Sequence, residues 1–143
     1  LRTFSWGHEL KIHLQDGLVS FGKGSLGPRL DKPAFLKSPI GEASEVIVAN
    51  GPYATYRIRP EPGITASAAF ENDRLNEVSL LFDLPSEDGR QWTEELELER
   101  KKIHDQWLLA ELGKPPYRYS WGEVVSSFDP KGCVSDIILR YAR

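Results

Sequence analysis

Residues 91–116 read QWTEELELERKKIHDQWLLAELGKPP, and no other segment carries a helical period of comparable length. With each residue advancing about 100°, Trp92, Leu96, Ile103, Trp107 and Ala110 fall on one stripe within about 60°. Asp88 or Thr93 can accept the first free backbone N–H groups, and Glu94 and Glu95 suit the positive end of the helix dipole. Gly113 offers a left-handed stop after Leu112, and Pro115-Pro116 forbids continuation. The spacing therefore predicts one long helix over about 91–112, with the two indoles turned inward.

Outward from that helix, the chain reads as hairpins. Leu10, Ile12 and Leu14 alternate with polar residues before Asp16-Gly17. A two-residue type I′ turn there predicts Leu14 opposite Val19 and Ile12 opposite Phe21. Residues 22–44 are punctuated by Gly and Pro; a short helical turn can form around Pro33–Leu36, but Pro39 forbids a long helix. Glu45 to Ala49 reads as a strand or a single helical turn. A meander follows, with alternation in Ala54–Ile58, Ile64–Phe70 and Val78–Leu84. A three-residue connection, Asn72-Asp73-Arg74, predicts the pairs Ala68–Val78, Ala66–Leu80 and Ile64–Phe82. One residue less would turn the apolar set to the wrong face. Beyond the helix, Tyr117, Tyr119 and Trp121 alternate, and Asp129-Pro130-Lys131-Gly132 forms a turn. That turn predicts Phe128 opposite Val134, Val125 opposite Ile137 and Trp121 opposite Tyr141. The fold class expected is α+β: an antiparallel, hairpin-rich sheet packed against one long helix. A single domain over 1–143 fits the length, with two blocks, 1–85 and 86–143, as a possible internal organisation.

Composition narrows the function. The 143 residues carry 18 Lys+Arg and 21 Asp+Glu, a net charge of −3. Up to residue 85 there are 9 basic and 10 acidic residues, and after it 9 and 11, so neither block is a charged arm. This balance argues against a nucleic-acid partner held through a basic face. One cysteine, Cys133, excludes an internal disulfide framework and fits a cytoplasmic location. No apolar run approaches the ~20 residues needed to span a bilayer, so no membrane partner is expected.

Candidate chemistry is sparse. Gly22-Lys23-Gly24-Ser25-Leu26-Gly27 matches G-x-G-x-x-G after a strand, but Pro28 and Pro33 replace the helix that a phosphate cradle needs. A flexible hairpin exit explains it better. His8 and His13 point to opposite faces of one strand, and His104 stands apart on the helix, so no metal set converges. No cofactor is expected. Cys133 has no local base and reads as an incidental thiol. Glu95, Glu99 and Lys102 have the spacing of helix-surface pairs, whereas Glu99 and Arg100 flank the apolar stripe and reach its rim. No catalytic residue emerges. The aromatic set Tyr53, Tyr56, Tyr117, Tyr119, Trp121 and Tyr141 is dense for one domain. Those not needed in the core suit interface anchors, with Tyr119 or Trp121 foremost.

Leu112-Gly113-Lys114-Pro115-Pro116-Tyr117, Tyr119-Ser120-Trp121-Gly122 and Asp129-Pro130-Lys131-Gly132 together resemble a family of small bacterial proteins in which a helix feeds a hairpin through an L-G-x-P step. Over residues 91–142 the layout is also similar to β-lactamase-inhibitor-protein-like and outer-membrane-lipoprotein-like modules. Those modules are exported and often disulfide-bonded, unlike a chain with one Cys. The resemblance implies a protein binder and assigns no functional residue. The reading that follows is a non-enzymatic, cytoplasmic protein-binding module, most plausibly an immunity-type inhibitor of a bacterial toxin. Glu94, Glu95, Glu97 and Asp105 would steer a basic toxin domain toward it. The alternatives are a ligand-binding or enzymatic domain with a pocket between sheet and helix, and a subunit that forms a homodimer through a strand edge.

Overall fold

The computed structural model describes residues 9–84, 93–132 and 134–142. A small antiparallel sheet comes first: β1 (Lys11–Ile12), β2 (Val19–Phe21) and β3 (Gly24–Leu26). Two short helices follow, α1 (Lys32–Lys37) and α2 (Pro39–Glu42). Asp31 and Ser38 cap them through their side-chain oxygens, and Pro33 and Pro39 sit in their first turns. The main sheet is built from β4 (Glu45–Asn50), β5 (Tyr53–Glu61), β6 (Ile64–Glu71) and β7 (Arg74–Phe82). After helix α3 (Glu94–Leu112) it is completed by β8 (Tyr117–Tyr119), β9 (Gly122–Asp129) and β10 (Val134–Tyr141). All neighbours are antiparallel, in the order β4-β5-β6-β7-β10-β9-β8. The last strand thus enters the middle of the sheet and joins the parts of the chain before and after the helix.

One face of this sheet is covered. Register aligns Tyr56, Ala68, Val78, Leu139 and Val124 in one buried row, and Ile58, Ala66, Leu80 and Ile137 in the next. Phe35 of α1 packs against Tyr56 and Phe70, with ring centres 5.4 and 5.2 Å away. Trp107 of α3 packs edge-on against Phe82 at 5.3 Å. The small sheet closes the same face, where the Tyr141 hydroxyl donates to the Gly17 carbonyl at 2.8 Å. The opposite face is polar and open. It carries a charge ladder in which Arg140 meets Glu77 at 3.1 Å and Glu123 at 3.5 Å.

The α+β class and the helix agree with the sequence reading, but several details differ for physical reasons. In the meander all three predicted pairs are present. The connection is nevertheless a two-residue turn in which Asn72 and Asp73 take φ of 50° and 67°. A bulge between Ala69↔Glu77 and Phe70↔Leu75 absorbs the extra residue and restores the face. In the first hairpin, Ile12 lies opposite Val19 rather than Phe21. A four-residue loop replaces the tight turn, held by His13 N–H to Leu18 C=O and Gly17 N–H to His13 C=O. The indole of Trp121 fixes this loop by donating to the Leu14 carbonyl at 2.7 Å. In the last hairpin the register is one residue off the predicted one. Phe128 pairs with Ser135, Val125 with Ile138 and Gly122 with Tyr141. Val125 consequently turns to the open face, and Ser126 takes its place on the helix side.

Helix α3 starts at Glu94, and the Thr93 hydroxyl accepts the Leu96 N–H at 3.1 Å. It stops at Gly113, whose φ is 84°. Its buried face is not the expected stripe. Leu96, Glu97, Arg100, His104 and Leu108 are buried, Ile103 and Trp107 are half-buried, and Ala110 is exposed. Trp92 and Asp88 lie outside the described residues.

Candidate functional site

The inward face of α3 is polar at its centre because the sheet beneath it is broken. The β7–β10 pairing ends at Ile137↔Leu80. Two residues further along, Ser135 and Phe82 would form the next rung. Their backbone groups bind helix side chains instead. His104 Nε2 accepts the Phe82 N–H at 3.1 Å, and Arg100 Nη1 donates to the Phe82 carbonyl. Glu97 Oε1 accepts the Ser135 N–H at 2.9 Å, while the Ser135 hydroxyl donates to the Glu97 carbonyl at 2.6 Å. Arg100 closes the set with a two-pronged pair to Glu97, both contacts at 3.1 Å. Three ionisable side chains of the helix thus stand in for a missing strand contact. Buried backbone donors and acceptors demand partners, and these residues supply them.

The cost falls on His104, which is fully buried. Burial first, and then the adjacent Arg100 guanidinium, lower its pKa from 6.5 to about 4. With Nε2 acting as acceptor, the ring proton resides on Nδ1. Nδ1 has no hydrogen-bond partner among the described residues.

This arrangement corrects the expected position of Glu97. It is buried and committed to Arg100 and Ser135, so it cannot face a partner in solution. Arg100 is buried with it, whereas Glu99 is exposed, so the two do not converge. Glu94 and Glu95 are exposed in the first helical turn. Asp105 is also exposed and pairs with Lys101 at 3.0 Å. Trp121 is likewise corrected as an exposed anchor, because only 9% of it is accessible. Its ring covers Gly17, its indole N–H is held by Leu14, and Tyr119 stacks on it at 5.0 Å. Tyr119 keeps a half-exposed position over that stack. Beside Trp121 an open pocket of about 650 Å³ is bounded by Asp16, Leu18, Arg29 and Leu30.

The remaining candidates are dispersed. His13 bonds Ser20 at 3.0 Å, and His8 and Cys133 lie outside the described residues. Gly22 to Gly27 forms the β2–β3 hairpin, with Phe21 opposite Gly24. Among the described residues no three His, Cys, Asp or Glu side chains are grouped to hold a metal ion. No helix among them is long and apolar enough to cross a membrane.

Two surface features match the sequence alternatives of an open strand edge and a pocket between sheet and helix, on residues the sequence did not single out. The first is β4, exposed along its whole length, with Val46, Ile47 and Val48 turned to solvent at the sheet edge. The second is an open cleft of about 520 Å³ between α3 and β9. Its walls include Leu108, Leu109, Pro115, Tyr117, Val125 and Ser126, and apolar surface predominates. The cleft exists because β8 reaches only from Tyr117, opposite Val124, to Tyr119, opposite Gly122. Pro115-Pro116 carries no N–H with which to extend it. The residues of β9 after Val124 therefore have no strand on that side among the described residues. The proline pair was the one sequence signal that pointed to this gap.

No protein-family model matches the chain, and no curated protein matches it. A chain of the solved complex described as Rhs1-CT with its cognate immunity protein RhsI1 superposes with a TM-score of 0.58. The identity is 15%, and the match covers 92% of this chain and 86% of that one. At that identity the likeness is one of fold.

Proposed function

We propose that this chain is an immunity-type inhibitor that binds and neutralises a bacterial toxin domain in the cytoplasm of the producing cell. The observation that carries the reading is the fold held in common, over nearly the whole chain, with a chain of the Rhs1-CT–RhsI1 complex. The site chemistry is in keeping with a non-enzymatic role. The ionisable groups buried under α3, Glu97, Arg100 and His104, bind backbone and each other. The resemblance of residues 91–142 to inhibitor modules points the same way. Exposed Glu94 and Glu95 supply a negative field that speeds encounter with a basic partner.

Co-expression tests this reading. The neighbouring gene should encode a toxin domain that arrests growth alone, and the chain should restore growth by forming a stable complex with it. Undiminished arrest, with no complex between the purified proteins, would refute it.

The exposed β4 edge favours a second reading, association of two copies strand to strand. Sedimentation of the purified chain decides it. A concentration-dependent dimer abolished by Ile47→Lys supports self-pairing, and a monomer at all concentrations removes it.

A further inference from the structure

We infer that the cleft between α3 and β9 receives an extended, uncharged segment of the toxin domain, which adds to the free edge of β9 in line with β8. The inference rests on the immunity reading and deepens it by naming where and how the partner is held.

Four observations carry it. Beyond Val124 the outer edge of β9 lacks a strand neighbour among the described residues, so alternate residues present backbone N–H and C=O groups outward. Helix α3 stands across from that edge and makes a cleft of about 520 Å³, walled by Leu108, Leu109 and Tyr117. An edge supplies main-chain bonds and a walled pocket selects a side chain, which together make a strand-addition site. The Ser126 hydroxyl lines the same cleft and has no hydrogen-bond partner among the described residues. Finally, the charges that line the cleft sum to zero: Lys101 pairs with Asp105 at 3.0 Å, and Arg118 lies opposite Glu123 in the β8–β9 ladder. With no net field to satisfy, the occupant is chosen by its backbone and by one aliphatic or aromatic side chain directed at Leu108 and Leu109. The other open edge, β4, leaves Val46, Ile47 and Val48 exposed to solvent, so it offers main-chain bonds with less burial of a partner's side chain.

The test uses the full chain and two probes: a displayed library of short linear peptides and the toxin domain encoded beside the chain. Leu109 is 53% exposed, so Leu109→Glu leaves the fold intact while placing a charge in the cleft. Selected peptides should share one large apolar residue. Both probes should slow amide exchange in β9 between residues 125 and 129. Leu109→Glu should weaken both by about tenfold or more, and Leu109→Met should bind like the parent. The peptides should also displace the toxin domain. Toxin binding that leaves β9 exchange unchanged and tolerates Leu109→Glu overturns the inference but leaves the immunity reading intact. Peptides that protect β9 in a chain that neutralises no toxin domain show the cleft to be a strand-addition site. That outcome refutes the immunity reading and with it the occupant named here.

Discussion

The imidazole of His104 accepts the backbone N–H of Phe82 at 3.1 Å, so a helix side chain occupies the place of a neighbouring strand. The bond requires an unprotonated Nε2. Protonation removes the acceptor and sets a positive charge beside Arg100 in a buried space.

The first consequence is acid sensitivity. His104 titrates near 6.5 unfolded and at about 4 folded. Between those values the unfolded chain binds the additional proton, so stability is complete above pH 6.5 and is lost as pH falls toward 4. The loss amounts to about 3 kcal/mol. Asp136 acts in the opposite sense, because burial raises its pKa above the ordinary carboxylate value. His104→Gln keeps an acceptor for Phe82 and cannot titrate. Urea unfolding of both proteins across this range should show a parent-minus-variant difference that grows as the solution is acidified. A pH-independent difference would mean that His104 is not the titrating group.

The second concerns the ion pair beneath the helix. Arg100→Met removes a two-pronged counter-charge from the buried Glu97 carboxylate and a donor from the Phe82 carbonyl. It should cost about 3–5 kcal/mol. Glu97→Gln on the Arg100→Met background removes the buried carboxylate charge and should recover part of that loss. A double-mutant cycle in urea measures the coupling, and additive losses would contradict it.

Gly17 supports the Trp121 stack through its lack of a side chain. Its φ is +76°, and a Cβ would lie 2.5 Å from the indole ring. Gly17→Ala should therefore combine backbone strain with overpacking and cost about 2–4 kcal/mol. Gly51 also has a positive φ, +61°, but nothing lies within 4 Å of its Cβ position. Gly51→Ala should cost only about 1–2 kcal/mol. Equal losses in thermal unfolding would show that the indole contact contributes nothing.

Acidic residues on α3 divide by burial. Glu94→Lys with Glu95→Lys should slow association with a basic toxin domain several-fold at low salt, with the difference fading as salt rises. Because both charges are reversed at the positive end of the helix dipole, stability should also fall by about 1–2 kcal/mol. Stopped-flow mixing over a salt series checks this, and a rate indifferent to these charges would remove α3 from the approach path.

Local chemistry alone settled the limits of α3 and the pairing of β6 with β7. Thr93, Gly113 and Pro115-Pro116 mark the ends of α3, and alternation in β6 and β7 dictates the Ala68–Val78 pairing even though a bulge, not the turn, delivers it. These features are legible because capping, φ preference and side-chain period act over a few neighbouring residues. Which face of α3 is buried was not legible. An apolar stripe through Ile103 and Trp107 competes with a polar one through Glu97, Arg100 and His104. The polar stripe wins only because Phe82 and Ser135, distant in sequence, direct backbone groups at it that helix side chains bind. The cleft along β9 has the same origin. Prolines end β8 locally, but only assembly of the sheet sets α3 opposite the edge they leave open.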